Sequence, residues 1–267
     1  MQGEEKRMME ESRNGYHFND SKVKIEEYVS CSLVDVVTDR IRNNIFSGKY
    51  LPGKKLVVRE ISEELGVSHT PVKDALNRLV SEGCVVALPR RSMMVKEYSN
   101  IEFIENYEIR LMIELYYADE IIVHVKKNPE IIDNMKKHWS VMDGMVAKGD
   151  NLSNAQWSNI ETCFHREYMK GCGNQRAYEK YCQLDSNKQS YLLYLGNKGQ
   201  PLSNQFLATN NEEHEAMIDA LQNQDSALFC QTVYSHLIRS CEAYVIDDAS
   251  EQRFQMMKKN AEIFFKK

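Results

Sequence analysis

The stretch "LGVSHTPVKDALNRLVSEG", residues 65 to 83, constrains this chain more than any other, because its pattern allows only one face to be buried. Val72, Ala75, Leu76, Leu79 and Val80 recur at helical spacing and form an apolar stripe. His69, Lys73 and Asn77 stand at i, i+4 and i+8 on the opposite face, with Thr70 beside them. The first turn therefore presents small hydroxyls, an imidazole and an ammonium. They lie next to unsatisfied backbone N–H groups at the positive end of the helix dipole, a setting that favours phosphate.

The flanking residues say what this helix belongs to. "SLVDVVTDRIRNNIFSGKY" reads as a helix with Ser32 and Asp35 in capping-box spacing, Leu33, Val36, Val37, Ile41 and Ile45 on one face, and Gly48 as a left-handed stop. "YLPGKKL" reads as a turn built on Pro52 and Gly53. "VVREISEELG" is a second, short helix ending at Gly66. After Gly83, "CVVAL" and "SMMVKEY" are two β-type runs joined by "PRR", a hairpin with Arg90 and Arg91 at its tip. Three helices followed by a basic hairpin predict a winged helix-turn-helix. In that fold the third helix lies in the DNA major groove and the wing reaches the backbone or minor groove. A winged helix that contacts only protein is the alternative.

Charge agrees with the first of these. Residues 31–98 carry 11 Lys/Arg against 8 Asp/Glu, which leaves 23 against 31 elsewhere, so a basic module of net +3 precedes a body of net −8. The 267 residues suggest two domains. No apolar run approaches a membrane span, which needs ~20 residues. Seven scattered cysteines without a CxxC pair predict reduced thiols and a cytoplasmic protein. The opening "MQGEEKRMMEESRNGYHFNDSK" lacks an apolar core, so residues 1–30 are expected to be a flexible arm and not a secretory leader.

"IFSGKYLPGKKLVVREISEELGVSHTPVKDALNRLVSEGCV" resembles the DNA-binding domain of GntR-type bacterial transcription regulators, over roughly residues 33 to 98. Carried over by motif position, the resemblance implies DNA contacts at Arg59, Ser68, His69, Thr70, Lys73, Arg91 and Ser92. His69 and Lys73 stand where arginine is commonest in that family, and Ser92 replaces the wing glycine. Arginine grips guanine through two parallel bonds while lysine acts as a point charge, so the family's usual half-site does not carry over.

From Asn100 onward helical periodicity dominates and predicts helices near 100–126, 129–148, 153–171, 175–196, 203–223, 226–247 and 251–265. Overall the chain is predicted to be mainly α: a winged helix-turn-helix at 31–98, then an all-α bundle over 99–267 with an additional C-terminal helix. That helix, with Phe254, Met257, Ala261 and Phe264/Phe265 on one side, is expected to pack on the body or a second subunit. The aromatic run "YLLYL" at 191–195 reads as core or dimer packing.

"NIETCFHREYMKGCGN" places Glu161 and His165 at i, i+4, and His214 and His236 fall on two later helices. One carboxylate and three imidazoles on three inward-facing helices can bind a divalent transition metal, or they can be satisfied core side chains. "EFIENYEIRLMIELYYADEII", "ETCFHREYMKGCGN", "EEHEAMIDALQNQD" and "SHL" together resemble the effector domain of the fatty-acid-regulator subfamily, the FCD domain, over about residues 100 to 247. The resemblance implies a metal held by one Asp and three His, here Glu161, His165, His214 and His236, with a small carboxylate effector at or near it. Glu161 stands where the family usually has Asp. Zn²⁺ or Ni²⁺ suits such donors better than Mg²⁺ or Ca²⁺. Arg110 would hold the effector carboxylate through its fork, or else pair with Glu114 four residues on.

These readings predict a ligand-responsive regulator that binds an inverted-repeat operator as a homodimer, repression being the commoner mode in such families. A metal-free sensor is the alternative. A metal-dependent enzyme fused to a winged helix and a structural DNA-binding protein without an effector are the other classes. No HExxH helix and no general base beside the four residues speak for the enzyme.

Overall fold

A computed structural model describes residues 32–89, 92–148, 154–184, 192 and 203–266. The proposed arm at 1–30, the wing tip at Arg90 and Arg91, and all of 191–195 except the buried Leu192 lie outside the described residues. The chain divides into two compact units between Glu97 and Tyr98.

The N-terminal unit holds α1 (Leu33–Phe46), α2 (Val58–Leu65) and α3 (His69–Ser81), with strands β1 (Lys55–Leu56), β2 (Val85–Leu88) and β3 (Ser92–Val95). Ser32 and Asp35 close the capping box at the start of α1. On α3, Val72, Ala75, Leu76 and Leu79 are fully buried; the helix packs against α1, whose Ile41 and Ile45 are equally buried. Each of the Val, Leu and Ile side chains contributes about 1.5–3 kcal/mol through removal from water. Leu33 does not join this face and stands exposed. Gly66 ends α2 at φ 67°, a left-handed conformation that lets the chain turn into α3 within three residues. Glu64 ties the end of α2 to the segment that follows α1: it accepts from Tyr50 Oη at 2.7 Å and from Lys49 Nζ at 2.6 Å.

The sheet corrects one expectation. "YLPGKKL" is not only a turn, because Lys55 and Leu56 pair antiparallel with Met94 and Met93, giving the order β1-β3-β2. Two residues show too little alternation to be read as a strand, and only the pairing with β3 reveals it.

The C-terminal unit is all-α among its described residues: α4 (Asn100–Tyr116), α5 (Ala118–Lys127), α6 (Glu130–Val146), α7 (Asn154–Met169), α8 (Gln175–Leu184), α9 (Asn204–Gln222), α10 (Ser226–Glu242) and α11 (Asp248–Ala261). The expected single helix over 100–126 is two, broken at Tyr117 (φ −95°, ψ 10°). No Gly or Pro marks the break. Packing supplies it, since α4 lies against α10 and α11 while α5 lies against the 3-10 turn at Lys170–Cys172. At that turn Gly171 approaches His124 so closely that a Cβ would sit 3.1 Å from the His124 Cβ. Helix α11 begins at an Asp247 capping box, earlier than the apolar pattern suggests. It buries Phe254, Met257 and Ala261, while Phe265 remains exposed. Its Arg253 and Asn260 both donate to the buried Glu108 of α4. Among the described residues no helix is long and apolar enough to cross a membrane.

Candidate metal centre and nucleic-acid interface

In the N-terminal unit, Ser68 stands at the N-cap of α3 with extended backbone (φ −72°, ψ 168°), and its side chain makes no capping bond. Ser68, His69, Thr70, Lys73 and Asn77 are all exposed, so the helix start offers a polar face whose apolar opposite is buried. Arg59 is exposed on α2 and its Nε donates to Glu63 Oε1 at 2.9 Å. Ser92 opens β3, half-buried, with its Oγ donating to the Pro89 carbonyl at 3.3 Å. Arg91 lies outside the described residues. The four residues at the start of α3 therefore share one surface by virtue of one helix turn, whereas Arg59 and Ser92 are supplied by separate elements.

In the C-terminal unit the four spaced-out residues converge. Glu161, His165, His214 and His236 each offer one donor atom, and these atoms all lie within 4.8 Å of one another. All four residues are buried. Helix α7 brings Trp157, Glu161, His165 and Tyr168 to one inward face by their spacing of four, four and three, while α9 contributes His214 and α10 contributes His236.

The polar contacts around them are ordered. Trp157 Nε1 donates to Glu161 Oε2 at 3.1 Å, and Asn210 Nδ2 lies 3.4 Å from Glu161 Oε1. His236 Nδ1 is 2.9 Å from Glu213 Oε2, and Arg239 grips the same carboxylate through Nε at 2.8 Å and a terminal nitrogen at 2.6 Å. His165 Nδ1 is 2.6 Å from the Tyr168 hydroxyl, which in turn donates to Glu114 Oε2. Tyr181 donates to Glu114 Oε1 at 2.8 Å.

Four ring nitrogens are left over. His165 Nε2, His236 Nε2 and both nitrogens of His214 are buried with no hydrogen-bond partner among the described residues. Buried polar atoms without partners are rare, and each such group costs about 1–3 kcal/mol unless something satisfies it. Two donors on one ion can be no more than ~4.2 Å apart at bond lengths of ~2.1 Å, so small side-chain adjustments bring this set into range. The residues therefore fit a divalent transition metal: borderline donors, buried and convergent, with ring nitrogens that no other described group satisfies.

Electrostatics point the same way. Burial pushes His214 well below the usual imidazole range, helped by the neighbouring His236 and His165. Burial, with the Arg110 charge, brings His165 down to about 4. Burial opposes a charge on His236 as well, but the two carboxylates beside it, Glu161 at 3.6 Å and Glu213 at 2.9 Å, outweigh it and raise this ring. Burial would raise Glu161, yet His236 and the charges of His165 and Arg110 hold it below the ordinary carboxylate range. Glu213, although partly desolvated, is held down at about 2 by Arg239 and His236.

Of the two readings offered for Arg110, the pairing with Glu114 is the one seen. Its Nε pairs with Glu114 Oε1 at 2.7 Å, so the salt bridge exists, but one terminal nitrogen is buried with no partner among the described residues. Its guanidinium also lies 5.6 Å from the Tyr107 ring centroid. The Nε edge of the guanidinium is thus engaged, and one terminal nitrogen is not.

Reading the sequence alone misses several members of this cluster. Trp157 and Tyr168 carry a usable signal, lying at i−4 from Glu161 and i+3 from His165. Glu213 is adjacent to His214 and Arg239 three residues after His236, but nothing distinguishes them from surface charge. Tyr181 offers no signal at all.

Comparison with known proteins adds to this geometry. The model of "Bacterial regulatory proteins, gntR family" matches residues 33–95, and the FCD domain model matches residues 105–239. The Escherichia coli repressor GlaR is 21% identical over 199 residues, covering 74% of this chain and 89% of that protein. The gluconate operon repressor of Bacillus subtilis is 22% identical over 200 residues, covering 75% and 80%. The solved structure of E. coli McbR/YncC matches with a TM-score of 0.61 at 20% identity, covering 86% of this chain and 99% of that one, which shows a shared fold.

Proposed function

The chain belongs to the GntR family of bacterial regulatory proteins and carries an FCD domain; from that premise we propose that it is a transcription regulator whose C-terminal unit senses a small carboxylate at a bound metal. GntR-family regulators bind operator DNA and act as dimers. The observation that carries the sensing reading is the set of four buried ring nitrogens without partners among the described residues, together with an arginine that has one terminal nitrogen unengaged there. Glu161, His165, His214 and His236 would hold the ion, with Zn²⁺ or Ni²⁺ suited to these donors. The ion would supply positive charge and an open position for an anionic oxygen. Arg110 would orient the effector through its remaining N–H groups, while Glu114 holds the guanidinium in place. The effector then biases one placement of the two DNA-binding units, by as much as its affinities for the two states differ. Operator DNA places this work in the cytoplasm, and repression follows the named relatives. A screen of small mono- and dicarboxylates for a shift in operator affinity tests the reading. If the metal-loaded protein binds its operator with the same affinity whatever carboxylate is present, sensing of this class is excluded.

DNA contact would run through Arg59, Ser68, His69, Thr70, Lys73, Arg91 and Ser92, the first five supplied by α2 and the start of α3. Lys73→Ala and Arg59→Ala are each expected to weaken binding to an inverted-repeat operator by roughly 1–3 kcal/mol if they read bases. Wild-type affinity should fall steeply with salt as counterions are released. Gel-shift titrations at two salt concentrations check this; affinity indifferent to salt would refute the surface.

A dimer also needs a face. Ile101, Ile109, Met112 and Tyr116 form an exposed apolar stripe along α4. The paired substitution Ile109→Lys, Met112→Lys is expected to raise the one-chain fraction in light scattering and weaken operator binding together. A wild type that is one chain at micromolar concentration with full operator affinity contradicts this.

A further inference from the structure

Three of the four candidate ligands have an outer partner: Glu161 has Trp157, His236 has Glu213 and His165 has Tyr168. The third pair is the informative one, because a hydroxyl carries a single proton. Tyr168 Oη gives that proton to Glu114 Oε2. Glu114 is a buried carboxylate ion-paired with Arg110 at 2.7 Å, so it can only accept. The Tyr168 oxygen must therefore accept from His165, 2.6 Å away, and the proton of that bond belongs to His165 Nδ1. A neutral imidazole with its proton on Nδ1 has a bare lone pair on Nε2. Nε2 is the atom of His165 that is buried without a partner beside Glu161, His214 and His236. The opposite tautomer would set two acceptors against each other at Tyr168 and Glu114, and bury an N–H with nothing to receive it.

We propose that Tyr168 is the positioning residue of the centre: its hydroxyl, committed as donor to Glu114, fixes His165 as the Nδ1–H tautomer and so turns a ligand-ready Nε2 into the cluster. The inference rests on the metal reading for its consequence but not for its geometry. The chain Arg110–Glu114–Tyr168–His165 also joins the arginine proposed to hold the effector to a metal ligand through three successive polar contacts. His214 has no such partner among the described residues, so no neighbouring side chain there fixes its tautomer.

Two measurements on the full chain test this. Zn²⁺ and Ni²⁺ titrations against a chromophoric chelator should show Tyr168→Phe binding 10–100-fold more weakly than wild type, the usual size of an outer-partner effect. Tyr181→Phe removes another hydroxyl from the same Glu114 but touches none of the four ligands, and should stay within about threefold of wild type. Long-range ¹H–¹⁵N spectra of the metal-free protein should show His165 in the Nδ1–H form in wild type, and a tautomer mixture in Tyr168→Phe. Equal metal affinity in wild type and Tyr168→Phe overturns the proposal, as does an Nε2–H tautomer for wild-type His165. A wild type that takes up neither metal sinks the metal reading and the affinity claim with it, whereas the spectra decide the Tyr168 contact on their own.

Discussion

His236→Ala is expected to reduce bound metal to near zero after incubation with Zn²⁺ or Ni²⁺ and desalting, where the wild type retains close to one ion per chain. The ring is fully buried, its Nε2 faces the cluster 3.6 Å from Glu161 Oε1, and its Nδ1 is already engaged by Glu213. Among the described residues no other imidazole beyond His165 and His214 belongs to the cluster, so a lost donor has no substitute there. Removing it should also abolish the response to carboxylates while leaving operator binding nearly intact, because the recognition helix lies in a separate unit. Glu161→Asp should behave differently and retain the ion with altered affinity. The shorter side chain gives up reach rather than chemistry, and Trp157 and Asn210 remain as donors to its oxygens. Elemental analysis of wild type and the two variants checks both claims. Equal, near-zero metal in wild type and His236→Ala would return the four residues to the role of hydrogen-bonded core side chains.

The second large effect concerns Glu114. This carboxylate has no exposed surface, and it accepts from Arg110, Tyr168 and Tyr181 on three different helices. Burial alone would raise its pKa, but the Arg110 charge and the His165 and Tyr168 contacts hold it far below the ordinary range. Glu114→Ala leaves a buried guanidinium without its counter-charge, a change that costs about 3–5 kcal/mol. For a unit of this size that corresponds to roughly 6–20 °C in the midpoint of thermal unfolding. Glu114→Gln keeps the shape and one acceptor, so it should lose less. A calorimetric midpoint for Glu114→Ala within about 2 °C of wild type would show that Arg110 is satisfied in some other way.

The N-terminal unit was the more legible of the two because its information is local. The α3 stripe, the Ser32 capping box, the Gly66 turn and the β2–β3 hairpin are each written within a dozen residues, where a 3.6-residue or two-residue period can be read directly. Its only missed element, β1, is a two-residue strand that exists through pairing with β3. Resemblance to a known family supplied the proposed DNA contacts at Arg59, Ser68 and Ser92, which no periodicity reveals.

In the C-terminal unit the sequence by itself determined which segments are helical and which face each one buries, since apolar spacing records the energetic preference of a helix for one side. It also marked Glu161, His165, His214 and His236 as chemically suitable, while only the resemblance to a known family implied that they meet. Tertiary structure decided that they converge, because α7, α9 and α10 come together over 76 residues of chain, a separation at which pattern carries no distance. It likewise decided the break at Tyr117, where no Gly or Pro stands and competing packing partners end one helix and start the next. Above all it decided the outer contacts. Glu114, Tyr168, Tyr181, Glu213 and Arg239 look in sequence like ordinary helix residues. Burial in a medium that cannot solvate them drives these groups into named partnerships, and against that background four ring nitrogens of three histidines, with one terminal nitrogen of Arg110, stand without a partner among the described residues.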